Sequence, residues 1–153
     1  MSDPATLVLF RGAPAGLHRG SLETFARRLR DRVARGREFV CLITGDTELQ
    51  RLNRQFLGKD YPTDVLSFPA ATDAHTDAAV PLGEIAISAD RAADQARAFG
   101  HSVDDEIRIL MLHGILHLLG MDHERDHGAM ERAETKWRKE FGLPLGLIER
   151  VRA

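Results

Sequence analysis

With one cysteine, Cys41, in 153 residues, the chain has no partner for an internal disulfide, so nothing staples the fold covalently. Long apolar runs are missing too. No stretch reaches the roughly 20 residues that cross a bilayer, which removes a helical membrane anchor from the expectations. The opening MSDPATLVLF has no basic region followed by an extended apolar core and does not read as a signal peptide. Nor is there a surplus of one sign of charge; the net −2 gives no global attraction to a polyanion. Together these absences point to a cytoplasmic protein without membrane attachment.

What remains is ordinary globular material. Apolar residues make up 43% and charged residues 29%, and the length suits a single domain over residues 1–153 around one core. Charge is nevertheless uneven. Residues 1–60 hold 11 Lys and Arg against 7 Asp and Glu, and the remainder is acidic. RRLRDRVARGR, residues 27–37, concentrates the positive charge; it reads first as a solvated helix face and second as a phosphate-facing patch.

Hydrophobic periodicity lays out the elements. TLVLF (residues 6–10) and EFVCLI (38–43) are short apolar runs expected as buried strands, with Cys41 a small core residue. SLETFARRLRDRVARG (21–36) carries Leu22, Phe25, Ala26, Leu29 and Val33 at helical spacing, with Ser21 as cap and Gly36 as stop. TGDTELQRLNRQF (44–56) predicts a second helix, capped by Asp46 or Thr47, with Leu49, Leu52 and Phe56 facing inward. VLSF (65–68) and EIAIS (84–88) predict two more strands. Between them the Ala-, Asp- and Pro-rich segment 69–81 reads as a surface loop, with His75 in solvent.

Three further helices are expected: 88–100, ending at Gly100; 102–120, with Ser102 or Asp104 near its cap; and 127–142, with Met130, Ala133, Trp137 and Phe141 on one face. The middle one is apolar on nearly every side around IRILMLHGILHLL, the mark of a central helix. The fold class expected is α+β, a small mixed sheet of about four strands packed with helices.

HGILHLLGMDH, residues 113–123, carries the chemistry. His113 and His117 are four residues apart and point the same way from a helix, one turn separated. Gly120 permits the left-handed turn that ends a helix, and three more residues bring His123 back toward the pair. Imidazoles in an apolar stretch need partners, because an unsatisfied polar group there costs a few kcal/mol. Three convergent rings suit zinc, and without a nearby cysteine they leave an open position, the catalytic rather than the structural arrangement. His127 or Asp126 is a possible fourth ligand or belongs to the start of the next helix; Asp122 suits the turn or a hydrogen bond to a ligand. Gly114 stands where H-E-x-x-H proteases carry their general base, so peptide hydrolysis by that route lacks its proton shuttle. A phosphodiester brings its own anionic oxygens and depends less on a carboxylate. Glycine there also clears room above the metal.

HGILHLLGMDH resembles, without mismatch, the H-G-x-L-H-L-x-G-x-D-H hallmark of the YbeY family of bacterial endoribonucleases. LNRQFLGKDYPTDVLSF (52–68) is similar to that family's second hallmark, and LGEIAIS (82–88) is a weaker match. The resemblance covers most of residues 40–142. It implies an α+β metal-dependent ribonuclease acting on single-stranded RNA, with roles in 16S rRNA 3′-end maturation and ribosome quality control. The family's zinc ligands carry over to His113, His117 and His123. One position departs: members usually have arginine after the aromatic residue of the second block, and here Leu57 follows Phe56. The resemblance implies a role for that arginine in RNA handling or catalysis. Arg54 and Lys59 are the nearby cations, though a lysine is a point charge and not a bidentate fork. Lys59, together with Ser67 on the strand beside the cleft, is a candidate catalytic residue.

The expected function is therefore a zinc-dependent, single-strand-specific endoribonuclease of rRNA processing, with one Zn2+ per chain and rRNA or the ribosome as partner. Positive groups of the first 60 residues are expected to grip flanking phosphates. Leu57 motivates a competing expectation, a ribosome-associated assembly or binding factor whose metal is mainly structural. A protease would need a carboxylate from elsewhere, Glu84 or Glu124.

Overall fold

Among the residues described by the computed structural model, 6–70, 80–122 and 125–152, elements alternate in one order. They run β1 (Val8–Phe10), α1 (Arg19–Arg32), β2 (Phe39–Thr44), α2 (Asp46–Leu57), β3 (Val65–Pro69), β4 (Gly83–Ser88), α3 (Ala89–Phe99), α4 (Val103–Leu118), α5 (Ala129–Glu140) and α6 (Leu147–Arg152). Most of the loop expected over 69–81 lies outside the described residues, as do His75, His123 and Glu124. The strands form one mixed sheet in the order β1-β2-β4-β3, parallel except for the β3–β4 pair. This is the α+β arrangement that the periodicity predicts.

Strand alternation divides the sheet into two faces. Val8, Cys41, Ile85 and Ser67 align across the four strands on one face, flanked by Ile43 and Ile87. That face packs on α4, whose residues from Ile107 to Leu116 are buried without a break, apart from half-buried Arg108. A helix apolar all round must be enclosed. α4 meets β3, β4, α1, α3, α5 and α6. The opposite face is only partly covered: Leu49 and Leu52 of α2 pack on Leu66, Phe68 and Ala86. A cavity of about 440 Å³ beside them is lined by Leu9, Val40, Leu42 and Phe56 among others. Cys41 is buried at the centre of the sheet, and burial pushes its thiol well above the ordinary range, so it stays protonated and serves packing.

Some starts and faces differ from the pattern. α1 begins two residues before Ser21, with His18 as its N-cap. His18 is held instead by Asp104 of α4, which accepts from its backbone N–H at 2.9 Å and lies 2.8 Å from its Nδ1. Ser21 lies within the first turn, where its hydroxyl accepts from Arg108. α2 has Gly45 as N-cap, not Asp46 or Thr47. Asp46 serves another element, accepting from the buried Ser88 hydroxyl at 2.6 Å. Phe56 is 58% exposed rather than inward, touching Phe68 edge-on. Short α6 had no periodic signal, because six residues span under two turns. Ser102 caps α4 as expected and Ser88 caps α3, each accepting from a backbone N–H three residues on.

Candidate metal centre

Helix α4 presents His113 and His117 from its last two turns, and the rings meet edge to face with their Nε2 atoms 3.2 Å apart. Two imidazole nitrogens bound at 2.0–2.1 Å to one tetrahedral zinc stand about 3.3 Å from each other. The separation of the pair matches that of two ligands on one divalent ion. Among the described residues no third His, Cys, Asp or Glu joins them to complete a metal cluster, and His123, the expected third ligand, lies outside those residues.

The chain turns sharply as it leaves α4. Gly120 takes φ +92°, its N–H donates to the His117 carbonyl at 2.9 Å, and Met121 N–H donates to Leu116 at 3.1 Å. These are the two closing bonds of a Schellman turn, possible because glycine bears no Cβ in the left-handed region.

The opposite ring edge of His113 is fixed by a residue that periodicity did not single out. Glu134 of α5 is fully buried, and its Oε2 lies 2.7 Å from His113 Nδ1. A carboxylate accepts, so Nδ1 carries the proton and the Nε2 lone pair is aimed at His117. The other oxygen, Oε1, accepts from Ile148 N–H at 2.9 Å. This carboxylate–histidine pair is the arrangement that orients metal-ligating imidazoles and raises their basicity. A signal for it was present. Glu134 lies four residues after Met130 and three before Trp137, a charge where the helical period calls for an apolar residue.

Gly114 answers a packing need. A Cβ there would stand 3.0–3.2 Å from three carbons of Ile85, so the missing side chain lets α4 lie close on β4. Its bare face is turned to the sheet, which corrects the expectation that the glycine clears room above the metal. Ser67 sits beside the same residue on β3 and donates its hydroxyl to the Gly114 carbonyl at 3.2 Å. Asp126 accepts from Gly128 and Met130 N–H, taking the helix-start role rather than that of a ligand. His127 is exposed with φ +55°. Asp122 lies in the turn, its carbonyl accepting from Arg125 and Asp126 N–H.

Lys59 is exposed in the turn after α2, whose last residue, Leu57, is itself 55% exposed. Buried Asn53 anchors that turn by donating to the Tyr61 carbonyl at 2.9 Å. The arginines of residues 27–37 are largely engaged within the chain. Arg27 pairs with Glu23 at 3.0 Å, Arg30 with Asp31 at 2.9 Å and Arg32 with Glu140 at 2.8 Å. Arg28 lies over the Phe141 ring and Arg37 donates to the Val80 carbonyl. Five of its six arginines thus have partners within the chain, in keeping with the solvated-face reading.

A family model described as Endoribonuclease YbeY matches residues 18–142. The chain belongs to the YbeY endoribonuclease family. Two curated relatives bear that same name. One, from Solibacter usitatus, is 56% identical over the whole of both chains. The other, from Koribacter versatilis, is 45% identical over 95% of this chain and 91% of its own. The fold agrees as well: a solution structure of a Thermotoga maritima protein superposes with a TM-score of 0.60 at 28% identity, covering 88% of each chain. In this YbeY-family member, then, His113 and His117 of the histidine block sit on a largely buried helix, and the departure at Leu57 lies at the exposed end of α2.

Proposed function

We propose that this protein is a zinc-dependent endoribonuclease that cleaves single-stranded RNA, acting in the cytoplasm on 16S rRNA 3′ ends and in ribosome quality control. Membership of the YbeY family supports the reaction class, since its curated relatives are named endoribonucleases. The observation that carries the metal reading is the 3.2 Å approach of two Nε2 atoms, one of them backed by a buried carboxylate. Among the described residues no helix is long and apolar enough to cross a membrane, which suits a substrate met in solution.

His113, His117 and His123 would hold one Zn2+ per chain. When bound it supplies a Lewis acid for a phosphate oxygen and an acidified water. The chain's own residues prepare that centre. Glu134 keeps the proton on His113 Nδ1, so the ring enters as a neutral donor. Ser67 acts through α4, holding the Gly114 carbonyl and with it the helix turn between the two histidines; it is a positioning residue. Lys59 offers an exposed ammonium to a phosphate of the bound strand, standing in for the arginine that Leu57 replaces.

The test is a fluorescent single-stranded RNA incubated with purified protein, with and without a chelator, beside a His113→Ala variant. Cleavage by the wild type alone, restored by zinc after chelation, is the expected result. Equal cleavage by wild type and variant would mean a contaminating nuclease. The exposed Leu57 would then favour the second reading, a ribosome-associated assembly factor with a structural metal.

A further inference from the structure

The matched family region ends at Gly142, yet the residues beyond it reach the metal centre. Ile148 N–H donates to Glu134 Oε1 at 2.9 Å, while Oε2 of the same carboxylate lies 2.7 Å from His113 Nδ1. Gly146 lies against that carboxylate so closely that a Cβ there would overlap it. Glu134 and Ile148 are both buried. The C-terminal segment thus forms the floor on which the carboxylate rests and occupies the oxygen that His113 does not use.

That floor is fastened at two charged points. Glu149 takes Arg138 of α5 bidentately, at 2.9 Å to each oxygen, and also accepts from Gly146 N–H at 3.2 Å. Arg150 clasps fully buried Glu106 of α4 at 2.7 and 3.0 Å, with its guanidinium over the Phe99 ring. One attachment therefore runs to the helix that bears Glu134 and the other to the helix that bears both histidines. A paired and hydrogen-bonded charge in a buried site is costly to disconnect, so these fastenings hold the segment in one register.

We infer that residues 143–150 act as a clamp that sets metal affinity at the His113–His117 pair. By holding the Glu134 carboxylate in one rotamer, Gly146 and Ile148 determine which nitrogen of His113 carries the proton. Both are positioning residues and neither touches metal or RNA. The inference rests on the proposed metal reading but adds a separate claim: a segment with no ligand of its own controls the quality of a ligand two steps away. Without the clamp, Glu134 gains rotameric freedom, the imidazole loses its fixed tautomer, and binding falls even though every ligand remains.

The test compares wild type, Gly146→Ala and Glu149→Gln. Gly146→Ala intrudes on the carboxylate, whereas Glu149→Gln loosens the fastening without adding atoms. Zinc affinity is read by competition with a chromophoric chelator. The His113 tautomer is read by 15N chemical shifts on metal-free protein. A core change in the separate cluster on the opposite sheet face, Leu49→Val, serves as a control for stability loss alone. Expected are a drop in zinc affinity of about 10- to 100-fold for Gly146→Ala, the range typical for disturbed outer-shell partners, and a smaller drop for Glu149→Gln. The Nδ1-protonated signal of wild type should give way to a mixture in both, while Leu49→Val keeps both readouts. Unchanged affinity and tautomer in folded Gly146→Ala and Glu149→Gln would overturn the clamp. Wild type that takes up no zinc overturns the metal reading and the clamp's hold on affinity together, whereas equal zinc uptake by wild type and both variants overturns the clamp alone.

Discussion

At position 114 the spacing between α4 and the sheet leaves Ile85 carbons 3.0–3.2 Å from where a Cβ would stand. Gly114→Ala must therefore push against β4 at an overpacking cost of about 1–3 kcal/mol. The better helix propensity of alanine returns about 1 kcal/mol. The expected net is a loss near 1 kcal/mol and a fall in Tm of about 2–4 °C for a chain of this size, read by thermal unfolding. Gly114→Glu, which restores the protease-type motif, adds an unpaired buried charge and should cost clearly more. If both variants melt like wild type, contact with Ile85 is not what requires a glycine at this position. Residue types were the most legible part of the sequence here. His113, His117 and Gly120 declare themselves by spacing, because two imidazoles one helical turn apart in an apolar run require a polar partner on the same side. Glu134 shows only as a charge within an apolar stripe, because its partners lie 21 residues upstream and 14 downstream and only the folded chain joins them.

Among the elements, α3 and α2 share one small polar junction. The fully buried Ser88 hydroxyl accepts from Arg91 N–H at 3.2 Å and donates to Asp46 Oδ1 at 2.6 Å. Ser88→Ala removes a cap and a charge-assisted bond together, and should cost about 1–3 kcal/mol, visible as a lower urea midpoint at constant slope. An unaltered midpoint would show the junction to be idle. At the other end of the chain, hydrogen bonds from the Arg138 guanidinium hold the Glu149 carboxyl below its ordinary range. A depressed folded pKa stabilises above the unfolded value and is lost as pH falls through the folded one. The stability gap between wild type and Glu149→Gln is thus expected in full at pH 7 and should close below the usual carboxylate range. A gap that persists in strong acid contradicts this. Periodicity located the strands and long helices because each buries one face. It missed the starts of α1 and α2, which are set by Asp104 and Asp90 from other elements, the latter accepting from Asp46 N–H at 2.8 Å. It also turned Phe56 inward, since a stripe at helical spacing does not reveal that the sheet face beneath it is only half covered.

For the molecule as a whole, the distribution of charge limits how RNA can be held. The basic segment 27–37 pairs three of its six arginines with Glu23, Asp31 and Glu140, leaving fewer cations for phosphates. Binding of single-stranded RNA by a cleavage-deficient His113→Ala protein, followed by fluorescence anisotropy, should weaken with salt only modestly. Two to four phosphate contacts correspond to a log–log slope of about −1.4 to −2.8. A slope several times steeper would point to a polyelectrolyte surface that the internal pairing argues against.

Whether α4 carries a metal at all is tested most directly by elemental analysis after zinc is supplied and excess dialysed away, on wild type beside His117→Ala. One zinc per chain in wild type, and little or none in His117→Ala with its fold intact, is the predicted result. A wild-type chain that emerges without metal, or a variant that keeps it, contradicts the account.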